Sequence, residues 1–265
     1  MNGEPQAGAG KRDSFIGQES RQSGLTLLEL LVAMTLTAVL LLGLVQLVTA
    51  SGTAALLQEN QAILQDRERF ATRLLGDAIA SAGFSPRPWE GSPDRVAVAP
   101  GTADRYTTHG DRLVLSSWSD RNCFDNLNPV RDAQGRPRFF LRETAFDLNG
   151  SRHLARSCRY GPGPADLVVQ VRRQGLVPGG ESFQLLFGLD ADDDGNVERW
   201  VRAGGWAEEQ LLIAVRAGLL LAGPDPVTSV ATRSYRVLDS ARNVPGDGRL
   251  RHHAELTFAI RGRRQ

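Results

Sequence analysis

The chain has 265 residues, a nearly balanced formal charge of +1, and two cysteines. Near-neutrality gives no strong field for nucleic acid, even with Arg261, Arg263 and Arg264 forming a small basic end. The histidines His109, His153, His252 and His253 have neither metal-ligand spacing nor a nucleophile setting, so enzyme chemistry is not expected.

The first element is an apolar run from Leu25 to Val48 without proline. At about 1.5 Å per residue it makes roughly 36 Å of helix, enough for a hydrocarbon core of about 30 Å. Lys11, Arg12 and Arg21 precede the run, and no Lys or Arg follows until Arg67. The positive-inside rule therefore predicts a cytoplasmic N-terminus and an exported remainder. A cleaved secretory signal is the competing explanation, with Ala50-Ser51-Gly52 as its small-residue cleavage site. The run is long for that, and neither an ordinary signal nor an ordinary anchor explains Glu29, the only charged side chain between Gln22 and Gln58. A carboxylate at a helix centre in hydrocarbon costs about 2.5–3.5 kcal/mol on insertion scales, so a lone one has a job.

The residues Ser23-Gly24-Leu25-Thr26-Leu27-Leu28-Glu29-Leu30-Leu31-Val32-Ala33-Met34 resemble the class III signal of type IV prepilins and pseudopilins. The resemblance implies a leader, residues 1–24, removed by prepilin peptidase between Gly24 and Leu25, with N-methylation of Leu25. Family members most often begin the mature chain with Phe, where this one begins with Leu25. Cleavage creates a cationic amine at the edge of the apolar block. In a staggered helix bundle that amine can meet the Glu29 carboxylate of a neighbour, each neutralising the other at low dielectric, which makes Glu29 the expected docking residue.

Apolar positions then recur at Leu56, Leu57, Ile63, Leu64, Phe70, Leu74, Leu75 and Ile79 with helical period among polar residues. The pattern predicts a long helix over 25–82, with 25–48 crossing the membrane and the later half packing its apolar face on the head. Gly83, Pro86 and Pro88 stop it.

Residues 83–265 are long enough for one core. Arg112–Trp118, Arg138–Arg142, Asp166–Arg172, Ser182–Leu189, Leu211–Leu221, Ser234–Leu238 and Glu255–Arg261 read as strands, with Leu211–Leu221 open to a short helix instead. Gly161-Pro162-Gly163-Pro164 and Pro178-Gly179-Gly180 read as turns. The expected fold class is α+β and pilin-like, a long N-terminal helix packed on a mostly antiparallel β-sheet head. Cys123 and Cys158 both fall in the exported part, where an oxidising periplasm favours one bridge.

Asp190-Ala191-Asp192-Asp193-Asp194-Gly195-Asn196 matches the opening of an EF-hand loop, but Val201 stands where the bidentate Glu belongs. Asp190, Asp192, Asp194 and Asn196 are therefore weak calcium candidates in what reads equally as a solvated hairpin turn, and no cofactor is otherwise expected. This aspartate-rich turn, the Ala214-Val215-Arg216 strand and the basic end resemble PilW-type minor pilins. The resemblance implies a minor type IV pilin that initiates and assembles the filament, seated in the inner membrane with a periplasmic head. Its implied partners are prepilin peptidase, other minor pilins, the major pilin and the inner-membrane assembly platform. A minor pseudopilin of type II secretion is the alternative. A calcium-dependent adhesin and a membrane-tethered periplasmic enzyme stand further off.

Overall fold

A computed structural model describes residues 26–87, 96–105, 110–207, 211–227 and 231–261. The chain divides into two units, Met1–Ser51 and Gly52–Gln265. Helix α1, Leu27–Ser81, has residues in both. Within the first unit every described side chain is exposed, and the helix is long and apolar enough to cross a membrane. Its threonines turn inward: Thr35 Oγ1 donates to the Val32 carbonyl at 2.8 Å and Thr37 Oγ1 to that of Ala33 at 2.7 Å. Hydroxyls satisfied in this way are compatible with a hydrocarbon surround.

The second unit is built on the rest of α1. Its buried stripe is Asn60, Leu64, Ala71, Leu75 and Ile79, at helical spacing. This corrects the expected inner face: Leu56 and Phe70 remain about half exposed, and small Ala71 takes the inward position beside Phe70. The helix stops at Ser81, and Gly83 then adopts a φ of 74° while its N–H donates to the Ser116 carbonyl at 2.8 Å. A glycine in that conformation is a common helix terminator. Pro88 lies outside the described residues.

Instead of one sheet there are two sheets and a ribbon. Strands β1 (Leu113–Ser119), β2 (Phe140–Leu148), β3 (His153–Gly161) and β4 (Val168–Pro178) form an antiparallel sheet in chain order. The second sheet takes β5 (Gly180–Asp190), β6 (Arg199–Val201), β7 (Leu211–Pro226) and β10 (Arg249–Ala259) in the order β10-β7-β5-β6. The ribbon pairs β8 (Arg233–Val237) with β9 (Ser240–Val244). Leu211–Leu221 is thus strand rather than helix. Strands β3 and β9 were not expected, and β2 and β10 are longer than the apolar stretches that signalled them.

The crossover between sheets falls at Gly179, where φ is 82° and a Cβ would collide with the Ala222 carbonyl oxygen. That carbonyl accepts Arg67 Nη1 from α1 at 2.7 Å. The main core joins the helix stripe to Leu113, Leu115, Phe146 and Val177 of the first sheet and Phe183, Phe187, Val215 and Leu219 of the second. Leu220 points to the other side, where it packs with Val237 and Val244 of the ribbon.

Several charges in this unit are fixed by specific partners. Arg251 of β10 reaches over β7 to grip Glu181 of β5 at 3.0 and 3.1 Å, and also bonds Asp247 at 2.6 Å. Asp111 accepts the N–H of Arg105 and the N–H of Leu185, each at 2.8 Å, tying the segment before β1 to the second sheet. Burial nevertheless raises its pKa to about 6, outweighing those donors. Since the folded pKa lies above the unfolded value of about 3.9, this group's contribution is full below pH about 4 and is lost as pH rises through about 6. Asp247 is displaced the other way, to about 2 by the Arg251 hydrogen bond, so its contribution is lost only on acidification below about 4. Urea unfolding of the detergent-solubilised protein should therefore show a midpoint that declines between pH 4 and 7, and a shallower decline in Asp111→Asn; equal slopes would contradict the assignment.

Candidate functional site

The cleavage positions Gly24 and Leu25 lie outside the described residues. Just beyond them Thr26 caps α1: its Oγ1 accepts the Glu29 N–H at 3.3 Å and its carbonyl accepts the Leu30 N–H at 3.2 Å. Glu29 sits in the first helical turn, where a carboxylate also meets the positive end of the helix dipole. Leu27, Leu28, Leu30 and Leu31 around it are all more than half exposed. An apolar surface of this extent calls for lipid or other helices, and Glu29 is its one charge.

In the head, Cys123 and Cys158 are joined by a disulfide with their Cα atoms 5.8 Å apart. Cys158 lies on β3, and the Cys123 N–H donates to Gln170 Oε1 of β4 at 2.9 Å, so the bridge ties the turn-rich segment before β2 to two strands.

The acidic turn connects β5 to β6. It brings Asp190, Asp192, Asp194 and Glu198 together, with one carboxylate oxygen from each within 4.8 Å of the others. Glu198, not one of the expected ligands, enters this group; Asn196 instead donates its backbone N–H and its Nδ2 to Asp194 at 2.7 and 2.8 Å. The carboxylates already have work within the turn. Asp190 accepts the N–H groups of Asp194 and Gly195, each at 3.0 Å, and Glu198 accepts that of Ala191 at 2.7 Å. Asp194 is held below the usual carboxylate range by its Asn196 bonds. Val201 pairs with Phe187 in the sheet and packs on the core, which removes the twelfth loop position from any ligand role.

His252 has a partner that the sequence did not signal: its Nε2 lies 2.7 Å from Glu68 Oε2 of α1. The pairing spans 184 positions, so local motif reading had nothing to detect. His253, next on β10, lies 3.4 Å from Glu255. His109, Arg263 and Arg264 fall outside the described residues. Among the described residues the acidic turn is the one cluster of potential metal ligands.

Residues 158–262 match the family described as Type IV Pilus-assembly protein W, and residues 20–45 match the prokaryotic N-terminal methylation motif. The first match starts at the bridge cysteine of β3 and runs three residues past the end of β10; the second holds Gly24, Leu25 and Glu29. No curated protein matches the chain. Among solved structures, a type IV-like pilin from Thermus thermophilus is similar at 16% identity and a TM-score of 0.46, over 76% of this chain and 99% of its own. A pilin-family match implies interaction with other pilins and the pilus machinery, and the apolar helix with its methylation motif fits a membrane-anchored pilin.

Because the bridge closes a loop over a sequence separation of 35, its loss should lower unfolding stability by about 3–4 kcal/mol on the chain-entropy account. Comparing denaturant midpoints of wild type and Cys123→Ser/Cys158→Ser measures this; coincident midpoints would show that the bridge adds nothing. The two sequence matches, the apolar N-terminal helix and the antiparallel β-rich head make the chain similar to type IV pilins, with its likeness to the PilW family lying in residues 158–262.

Proposed function

We propose that this protein is a minor type IV pilin that helps initiate and assemble the pilus filament. The carrying observation is the conjunction of a methylation motif with a helix whose apolar surface has no cover and whose single charge is Glu29. A chain built to be an anchor alone has no use for that carboxylate. A chain built to stack helices does, since it offers a partner for a neighbour's terminal amine. The PilW match favours a pilus over type II secretion. The function is structural: Glu181 is held by Arg251 and Asp190 by the backbone of its own turn, so these carboxylates serve the fold.

In this reading prepilin peptidase cuts between Gly24 and Leu25 at the cytoplasmic face, Leu25 is methylated, and the head stands in the periplasm. Lys11, Arg12 and Arg21 support that orientation. Other minor pilins, the major pilin and the inner-membrane assembly platform are the partners. The acidic turn serves as a hydrogen-bonded connection, and the head needs no cofactor.

Gly24→Val should leave full-length precursor in the membrane, because a small residue must fit beside the scissile bond; mature-sized protein from this variant would refute cleavage there. Glu29→Ala tests docking separately from anchoring. It should insert and be cut normally, yet lose co-purification with partner pilins, because one side of a buried charge pair is left alone at a cost of about 3–5 kcal/mol. Wild-type co-purification by a correctly processed variant would remove Glu29 from the docking role.

For the acidic turn, Asp190→Ala strands two N–H groups and should destabilise the protein by about 1–3 kcal/mol. Added calcium should leave the wild-type midpoint unchanged. A saturable calcium-dependent rise would make the turn a metal site.

A further inference from the structure

On the helix-facing side of the first sheet the apolar surface ends near the disulfide. The register places Ser117 beside Arg142, Leu115 beside Thr144 and Phe146 beside Arg156, so both arginines and Thr144 share one face. Together with Asp77 and Ser81 of α1 they line a cavity of about 260 Å³.

These two arginines depart from the pattern elsewhere in the head. Arg251 holds Glu181, Arg159 holds Glu143, and Arg112 and Arg173 flank Asp147 at 3.5 and 3.4 Å. Among the described residues no carboxylate forms an ion pair with Arg142 or Arg156. Arg156 donates one long bond, from Nη2 to the Cys123 carbonyl at 3.4 Å, and its Nε is buried with no hydrogen-bond partner. Burial lowers the pKa of Arg142 on balance; the Arg156 charge acts with burial, and the charges of Asp125 and Asp120 act against it without pairing to the guanidinium. Asp77 stands on the lining as an exposed carboxylate without pairing to either. Two partly desolvated cations that line one cavity from either side of the Thr144–Cys158 pair are unfavourable alone and become favourable around an anion, because guanidinium bonds to oxyanions are charge-assisted and geometrically matched.

We propose that this cavity is an anion site that takes a carboxylate or small oxyanion between Arg142 and Arg156. Planar forks on neighbouring strands suit two oxygens of one group. The same chemistry can come from a free ion or from an acidic side chain of another pilin subunit.

The test titrates full-length protein in detergent with sulfate and with acetate against chloride at equal ionic strength, following the thermal midpoint and binding heat. Wild type should show a saturable response. Arg142→Gln and Arg156→Gln should each weaken it about 10- to 100-fold, the range for losing a hydrogen bond to a charged group. Asp77→Asn should tighten it by removing a competing negative charge. A flat wild-type titration, or one unchanged in both glutamine variants, overturns the site. Should those variants fail to fold, Asp77→Asn remains decisive, since an unchanged affinity there also overturns it. A second arm separates the sources and alone rests on the filament reading. If Arg156→Glu is correctly processed yet loses co-purification with other pilins, the anion is a neighbour's side chain; if sulfate binding is lost and co-purification holds, it is a free ion.

Discussion

Everything in the head is organised by one stripe of α1 that must be covered from two directions. Leu64, Leu75 and Ile79 are buried between sheets that share no strand, and each is worth about 1.5–3 kcal/mol in apolar burial, an upper figure given a compact unfolded chain. Small residues set how closely the sheets approach. Ala71 is fully buried, and a Cβ on Gly76 would lie 3.2 Å from the Phe258 ring of β10. The helix therefore acts as the shared wall of the core. Phe70, larger and more apolar than Ala71, is left about half exposed while Ala71 is fully buried.

That outcome marks the limit of what periodicity can reveal. Eight apolar positions of helical spacing were visible, yet polar Asn60 and small Ala71 joined the buried stripe while Leu56 and Phe70 did not. Strands made of short apolar stretches with β-branched or aromatic residues, such as β1 and β5, were legible. Strand β3 was not, because Arg156, Ser157 and Arg159 interrupt its pattern and are accommodated by cross-strand partners such as Glu143 that only the register supplies. The division into two sheets was equally hidden. A strand announces itself locally, whereas its neighbours depend on where Gly179 sends the chain.

The N-terminal motif was legible for the opposite reason. Its chemistry is carried by consecutive residues, and the charge that matters is conspicuous because its surround is uncharged. In the head, charges are many and meaning comes from pairing: Arg251 crosses a whole strand to Glu181, and His252 finds Glu68 of α1. A lone charge in hydrocarbon can be read from sequence. An unpaired charge among many others cannot, which is why Arg142 and Arg156 drew no notice until the register placed them on one face, on either side of the Thr144–Cys158 pair.

The disulfide follows the same logic in covalent form. Between β1 and β2 the chain makes successive turns held by side-chain acceptors: Asn122 Oδ1 takes the N–H groups of Phe124 and Asn126, and Asp132 Oδ1 takes those of Gln134 and Arg136. Phe124, Leu127 and Val130 point outward, so this segment gains little from apolar burial. Local Asx-type bonds define its turns but do not place it on the head. The Cys123–Cys158 bridge and the bond from Cys123 to Gln170 supply that placement, and they do so at the end of the first sheet where the two unpaired arginines lie. The bridge thus fixes the Cys123 carbonyl that Arg156 contacts, and with it one wall of the cavity, making the local geometry of the cationic pair depend on a covalent link rather than on packing alone.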